Sequence, residues 1–365
     1  MACVLPLIQV CSVGCNLRCS YCYYNSQCQS SRVMGADVLE TVIVQLLALG
    51  QKTTHFCWHG GEPTLAGTEF FERACKIQKR NLAPGQRVVN SIQTNGIVLN
   101  EGWMELFEQH GFQIGISLDG PATLHDSYRR DGNGEGTHSR VMDRVSLLQR
   151  YGFPFGVICV LTDKNVMDPA GLTDYFYENG IRTVNFGLAV AYNERGQLES
   201  YSITPDQLAN FMIGLYKKWI EIDDPTFRIP RLDEYIRGVI NRPTRTCEFN
   251  DWCNHFLMFD YDGTVRSCCS LPLDWVLGNL MEQPLQEILR SKAMHEIKRR
   301  ITQARRMCKG CAWQTACNGG CAGYSFLRVD THGCERNYFC SAHRRIYSYL
   351  REDKHIQKMI LRLRN

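Results

Sequence analysis

The stretch Cys15-Asn-Leu-Arg-Cys19-Ser-Tyr-Cys22 sets three thiols at intervals of four and three residues near the N-terminus. Thiolates are soft ligands that select iron-sulfur clusters, zinc or copper(I), and closely spaced Cys inside a cell read as a metal site more readily than as a disulfide framework. A closed structural zinc site or a fully ligated 4Fe-4S cluster wants four ligands. Three Cys without a fourth partner at matching spacing therefore leave one metal position open for chemistry. The competing reading of the triplet is a partial zinc knuckle.

The 365 residues suffice for one large domain and an appendage, and 44% apolar and 21% charged residues are globular values. No run of about 18 apolar residues occurs, so a membrane span is not expected. The opening MACVLPLIQV lacks the basic and apolar regions of a signal peptide, which predicts a cytoplasmic, reducing location. Nineteen Cys then read as metal ligands and buried thiols. A formal charge of +4 is small for this length and gives nucleic acid binding little support.

Residues 5 to 190 alternate short β-rich runs with helix-like stretches at intervals of roughly 30 residues, the pattern of βα units on a parallel sheet. Strands are expected at Leu5 to Val10, Thr54 to Trp58, Val88 to Gln93, Gln113 to Leu118, Gly156 to Leu161 and Thr183 to Leu188. Helices are expected at Val38 to Leu49, Thr68 to Arg80, Glu101 to His110, Ser139 to Tyr151, Pro169 to Asn179 and Thr204 to Ile222. Six units predict an α/β fold, a partial (β/α)6 TIM-like barrel open on one side, with chemistry on the loops after the strand ends. The Cys triplet, HGGEP, QTNG and SLDGP fall after the first four strands in turn. After Pro243 helical periodicity breaks, apart from expected helices at Leu285 to Arg299 and His343 to Arg351, and Cys, Gly and aromatic residues crowd together. The predicted division is a barrel over 1-235, a Cys-rich domain over 236-350 and a basic tail over 351-365.

The C-x-x-x-C-x-x-C triplet with Tyr21 before its last Cys resembles the signature of the radical S-adenosylmethionine (radical SAM) enzymes, and Gly60-Gly61-Glu62-Pro63 resembles their GGEP motif. The spacing from Cys253 through Gly263 to Cys268, followed by Cys308, Cys311, Cys317 and Cys321, resembles the SPASM domain. The resemblance implies SAM and three 4Fe-4S clusters as cofactors. Cys15, Cys19 and Cys22 would hold the SAM-binding cluster. Cys247, Cys253, Cys268 and Cys321 would hold one auxiliary cluster, and Cys308, Cys311, Cys317 and Cys340 the other, with Cys334 as rival to Cys340. Tyr21, Gly60, Gly61, Glu62, Thr94, Asn95, Ser117 and Arg129 would contact SAM. For any one of these polar residues, turn chemistry or capping is the plainer alternative.

The overall layout resembles anaerobic sulfatase-maturating enzymes, which oxidise Cys or Ser to formylglycine, within a broader group that matures ribosomally made peptides. The implied chemistry is hydrogen abstraction by a 5'-deoxyadenosyl radical from a peptide or protein substrate, with a flavodoxin or ferredoxin as electron donor and neither nucleic acid nor membrane as partner. Sulfatase maturases carry an Asp base directly after the position of Cys268, where this chain has Cys269. A thiol of reference pKa near 8.5 is a poorer resting base. That departure leads the sequence reading to oxidative cross-linking in a ribosomal natural-product precursor, with formylglycine formation, aminosugar dehydrogenation and a zinc-organised binding module as alternatives. The candidate proton acceptors are Cys269, Asp119, Asp274 and Tyr24. A triplet beginning at Cys15 leaves no expected room for an N-terminal peptide-recognition domain. Aromatic residues of the Phe211 to Trp219 helix, with Trp252, Trp275 and Trp313, are groove candidates whose commoner use is core packing.

Overall fold

A computed structural model describes residues 4-12, 14-24, 32-250, 252-327 and 336-356. In chain order the barrel half runs β1 (Leu5–Gln9), α1 (Ala36–Leu47), β2 (Thr53–His59), α2 (Thr68–Asn81), β3 (Arg87–Thr94), α3 (Glu101–His110), β4 (Gln113–Ser117), α4 (Ala122–Tyr128), α5 (His138–Arg150), β5 (Phe155–Leu161), α6 (Pro169–Glu178), β6 (Val184–Leu188), α7 (Pro205–Ile222) and α8 (Pro230–Val239). The Cys-rich half follows as β7 (Phe256–Phe259), β8 (Thr264–Ser267), β9 (Val276–Asn279), α9 (Leu285–Ile288), α10 (Lys292–Arg306), α11 (Gln314–Cys317) and α12 (Cys340–Glu352). The strands form one sheet in the order β6-β5-β4-β3-β2-β1-β7-β8-β9, parallel from β6 through β7 and antiparallel from there.

Two periodicities build this half-barrel. In β2, Thr54, Phe56 and Trp58 are buried toward the helices, while Cys57 and His59 take the other face, where side chains are less covered. In α2, Phe71, Ala74, Cys75, Ile77 and Gln78 recur at helical spacing on the face that meets the sheet. Phe71 packs edge-on against Trp58 and Trp103, and the Trp58 indole donates to Asn90 Oδ1 at 2.9 Å, so the buried N-H has its partner. Helix ends follow local chemistry. Asn100 caps α3 by accepting from Trp103 N, Gly111 closes it at φ 63°, and a reciprocal Thr204/Gln207 capping box with Pro205 opens α7.

The Cys-rich half is built onto the barrel. β7 extends the sheet through a parallel ladder from Leu5↔Phe256 to Ile8↔Phe259, and α12 reaches back so that Tyr216 Oη donates to Asp353 Oδ1 at 3.0 Å. The expected boundary at residue 235 falls inside α8, where Tyr235 is fully buried and its hydroxyl lies 2.7 Å from His343 Nδ1 of α12. The helix expected over 285-299 divides into α9 and α10, because Ser291 caps a new start by accepting from Met294 N. Cys3, Cys28, Cys334 and most of the basic tail lie outside the described residues. None of the helices is long and apolar enough to cross a membrane, among the described residues.

Candidate active site

The parallel strands deliver their C-terminal loops to one rim, and the Cys loop is locked there by its neighbours. Gly61 adopts φ 60°, and a Cβ on it would overlap the carbonyl oxygen of Gly14. That close approach lets Glu62 N donate to Gly14 O at 2.9 Å, while the Cys11 thiol donates to Glu62 O at 3.3 Å. Leu17 N donates to Cys15 Sγ at 3.3 Å, and Asn95 Nδ2 reaches Asn16 Oδ1 at 2.7 Å. From the other side, Arg18 N donates to Arg130 O and Ser20 N to Tyr128 O. Cys15, Cys19 and Cys22 lie close enough for the charge of one to disfavour charge on another. Burial above all pushes the Cys15 thiol up to about 12 and the Cys19 thiol up to about 11. Three half-buried thiols in one loop, two of them disfavoured as bare thiolates by burial, match a group whose positive irons would stabilise the thiolates.

Glu62, only 1% exposed, acts as a bolt between two loops. Its carboxylate accepts from Thr64 N (3.0 Å), Thr64 Oγ1 (2.6 Å), Thr94 Oγ1 (2.6 Å) and Asn95 N (2.7 Å). Burial raises its carboxyl pKa while these four donors pull it down. The GGEP and QTNG motifs are thus one interlocked unit. Gln93 Nε2 donates to Ser117 Oγ at 2.9 Å, carrying the line of polar groups to β4.

A second buried node forms beyond β4. The carboxylate of Asp119 accepts from Arg129 Nε at 2.8 Å, from the Tyr21 hydroxyl and from Val160 N at 2.9 Å. Arg129 in turn stands 5.4 Å from the Tyr21 ring centroid and beside the Cys19 thiol. Tyr21, Tyr128 and Tyr201 make an aromatic wall with centroids 6.1 to 6.4 Å apart. Behind them His125, fully buried, accepts from Asp119 N at Nδ1 (3.2 Å), which leaves Nε2 to donate to Thr137 Oγ1 (3.0 Å), whose hydroxyl donates to Arg129 O (3.0 Å). This hydrogen-bond chain fixes the tautomer.

In the Cys-rich half the thiols fall into two further groups by their mutual electrostatics. Cys247, Cys253 and Cys321 each lie in the field of others of the set Cys247, Cys253, Cys268 and Cys321, whereas Cys308 lies in the field of Cys340 and Cys311, and Cys317 in that of Cys308 and Cys340. Burial pushes Cys247, Cys253 and Cys317 up to about 12. Among the described residues, no three metal-ligating side chains converge on a single ion. A cluster that places each thiolate on a separate iron needs wider spacing than the tetrahedral site of one zinc. Arg231 of α8 and Glu248 form a mostly buried ion pair at 2.8 Å whose carboxylate lies within the electrostatic reach of Cys247, Cys317 and Cys321.

The two halves meet at Cys269. Its thiol lies within hydrogen-bonding reach of Cys268 and of the Tyr23 hydroxyl. Tyr24, also buried, lies in the field of Cys269, then Asp260, then Cys22, and burial drives its hydroxyl well above its ordinary value. Asp274 is exposed on the loop between β8 and β9, and Asp119 is committed to the three donors above. His125, Thr137, Tyr23 and the Arg231–Glu248 pair were not singled out in the sequence. The HDSYRR run after SLDGP was the available signal for His125.

Comparison with known proteins fits this geometry. Residues 10–176 match the Radical SAM superfamily, and residues 247–312 match SPASM, an iron-sulfur cluster-binding domain. A cysteine-type anaerobic sulfatase-maturating enzyme of Clostridium perfringens is 30% identical over 94% of this chain and 95% of its own length. A serine-type counterpart from Bacteroides thetaiotaomicron is 28% identical over 92% and 86%. The structure of native anSMEcpe with bound AdoMet superposes with a TM-score of 0.88 at 29% identity, covering 99% of this chain and 100% of that one. SuiB of Streptococcus suis, at 16% identity and a TM-score of 0.64, shares the fold alone. These findings correct the cross-linking reading. It rested on one departure, Cys269, whereas similarity to sulfatase-maturating enzymes runs through both halves. The chain belongs to the family of anaerobic sulfatase-maturating enzymes and is a radical SAM enzyme with SAM and 4Fe-4S clusters as cofactors.

Proposed function

We propose that this enzyme converts a Cys or Ser residue of a sulfatase to formylglycine. The observation that carries the reading is the near-complete coverage by sulfatase-maturating relatives, in both halves at once. Cys15, Cys19 and Cys22 would hold the SAM-binding cluster, with the other two thiol groups holding auxiliary clusters. Bound SAM and its cluster would supply the 5'-deoxyadenosyl radical. The residues around it orient and exclude. The Glu62 bolt holds the GGEP and QTNG loops against the Cys loop, and the Asp119–Arg129 pair holds Tyr21 beside Cys19. Ser117, Thr94 and Asn95 stand on this rim as the proposed SAM contacts. Peptide-bound structures of anSMEcpe support a peptide or protein substrate.

For a Cys substrate the balance is as follows. One hydrogen atom leaves the β-carbon for the radical. The thiol proton and one further electron then leave, which forms a carbon-sulfur double bond. Water adds to that carbon and hydrogen sulfide departs, giving the aldehyde. Of the four candidate proton acceptors, Cys269 is the one held between the auxiliary thiols and the Cys22–Tyr24 loop, with Tyr23 donating to it.

The test is an anaerobic reaction of the reconstituted enzyme with sulfatase-derived Cys and Ser peptides. A hydrazide-reactive aldehyde formed with matching 5'-deoxyadenosine is the expected result. 5'-Deoxyadenosine with a cross-linked peptide and no aldehyde would refute the assignment.

A further inference from the structure

The outer thiol group opens onto a basic cleft. Cys308, Cys311 and Cys340 line a cavity of about 790 Å³ together with Lys309, Arg336, Arg344, Arg345 and Arg351, and no acidic side chain lines it among the described residues. All five cations are exposed. Arg345 is partly neutralised by Asp206 at 3.6 Å, whereas Lys309 and Arg344 make no ion pair with another described residue. Arg351 is braced over the Trp313 ring at 4.5 Å from its centroid, which holds one charge in place. A second cavity of about 370 Å³ shares Arg336, Cys340, Ser341 and Arg344 with the first, so the basic surface extends past the mouth of the cleft.

We propose that this cleft is the docking surface for a small acidic one-electron carrier, of the flavodoxin or ferredoxin type, that takes the electron released by substrate oxidation. The proposal rests on the reading above, because formylglycine formation leaves one electron to be removed. Each oxidised carrier accepts that single electron and becomes its one-electron reduced form. The proton leaves separately, at the substrate end of the molecule. Two features select this occupant. Charge complementarity steers an acidic partner to a surface that carries five cations and no lining acid among the described residues. Cys308, Cys311 and Cys340, three of the thiols that would hold the outer cluster, lie in the wall of the same cleft, so a carrier seated there would stand beside the group able to pass it an electron. Transient electron-transfer interfaces are small, typically below about 1,200 Å² in total, so docking of this kind calls for no extended apolar face.

The test uses anaerobic holoenzyme immobilised on a sensor, with oxidised flavodoxin as probe at low and physiological salt, and no peptide present. The Arg344→Glu/Arg351→Glu variant should weaken binding roughly tenfold or more and flatten the salt dependence. The milder Arg344→Gln/Arg351→Gln variant should fall between it and the wild type. Arg73→Glu/Lys79→Glu, on the exposed face of α2, should bind like the wild type. Iron content and optical spectrum report whether each variant is intact. Equal affinity of wild type and the α12 charge reversal would overturn the proposal. So would a wild type that ignores flavodoxin but binds an oligonucleotide in an Arg344-dependent way. An enzyme that makes no aldehyde yet keeps charge-dependent carrier binding would overturn the formylglycine reading and leave the docking surface standing.

Discussion

Lowering the pH should destabilise the fold through His125. Burial first, then the neighbouring Arg129, lowers its pKa to about 4 from an ordinary 6.5, against weaker opposition from Asp119 and Asp126, with His138 adding to the depression. The folded state therefore binds this proton later than the unfolded state does. Above the unfolded value both are neutral and pH has no effect. Below it the unfolded chain gains a proton that the folded chain refuses, and stability falls until the folded pKa is reached. The full loss is about 3.4 kcal/mol, and about 2 kcal/mol of it is reached by roughly pH 5. The structural cause is specific. A proton on Nδ1 removes the acceptor for Asp119 N and places a cation beside Arg129. His125→Asn keeps an oxygen near Nδ1 but abolishes titration, at a cost of about 1–3 kcal/mol near neutral pH for the lost Thr137 bond and ring volume. Urea unfolding of wild type and variant, followed by Trp fluorescence, gives the difference at each pH. It should shrink by about 2 kcal/mol between roughly pH 7.5 and pH 5. A difference that stays constant refutes the buried neutral imidazole. Acid loss of clusters affects both proteins alike and cancels in the comparison.

Three further perturbations probe the site. Glu62→Gln puts an amide donor against the Asn95 N-H or the Thr donors, costing about 1.5–3 kcal/mol and weakening SAM binding. Unchanged unfolding midpoint and SAM affinity would dismiss the bolt. Gly61→Ala forces a Cβ into Gly14 O, so iron content should fall by the share of one cluster with the rest retained, and full iron loading would contradict the close approach. Glu248→Gln strands Arg231 in a mostly buried position and should cost about 3 kcal/mol or more, read from the denaturation midpoint, whereas a loss below about 1 kcal/mol would show that the pair is solvated.

The barrel was legible because its signals are local. The alternation of Thr53–His59 and the Thr204-Pro205-x-Gln207 cap each state their structure within a few residues. The sheet of the Cys-rich half was not. FLMF, TVRS and VLGN are four-residue runs too short for a period, the Asp262-Gly263 turn at φ 86° is their one local mark, and β7 pairs with β1 some 250 residues away. Site residues were legible as motifs and opaque as roles. Glu62 read as a SAM contact, yet both its carboxylate oxygens are occupied by donors from two loops about thirty residues apart. Asp119 read as a proton acceptor, yet Tyr21, Arg129 and Val160 N take up its carboxylate, a pairing that requires β4, β5 and the Cys loop to be assembled.

The same distinction explains how Cys269 misled the reading of the reaction. Its position is set by backbone, since the β1–β7 ladder carries β8 and its exit turn to the Cys22–Tyr24 loop whatever side chain residue 269 bears. On the proposed reading, a thiol at this place bears on how a proton departs and not on where the substrate carbon sits. The two effects separate experimentally. Hydrogen abstraction depends on SAM and the Cys loop, so Cys269→Ala should still release 5'-deoxyadenosine. Completion of the oxidation needs the thiol proton removed, so the aldehyde formed per 5'-deoxyadenosine should drop about tenfold or more, in the range of general-base contributions. Cys269→Asp restores an acceptor at the same place and should recover most of the ratio. Undiminished coupling in Cys269→Ala would show that the proton leaves by another route, and loss of 5'-deoxyadenosine itself would show that Cys269 holds the Tyr23 loop in shape instead of accepting the proton.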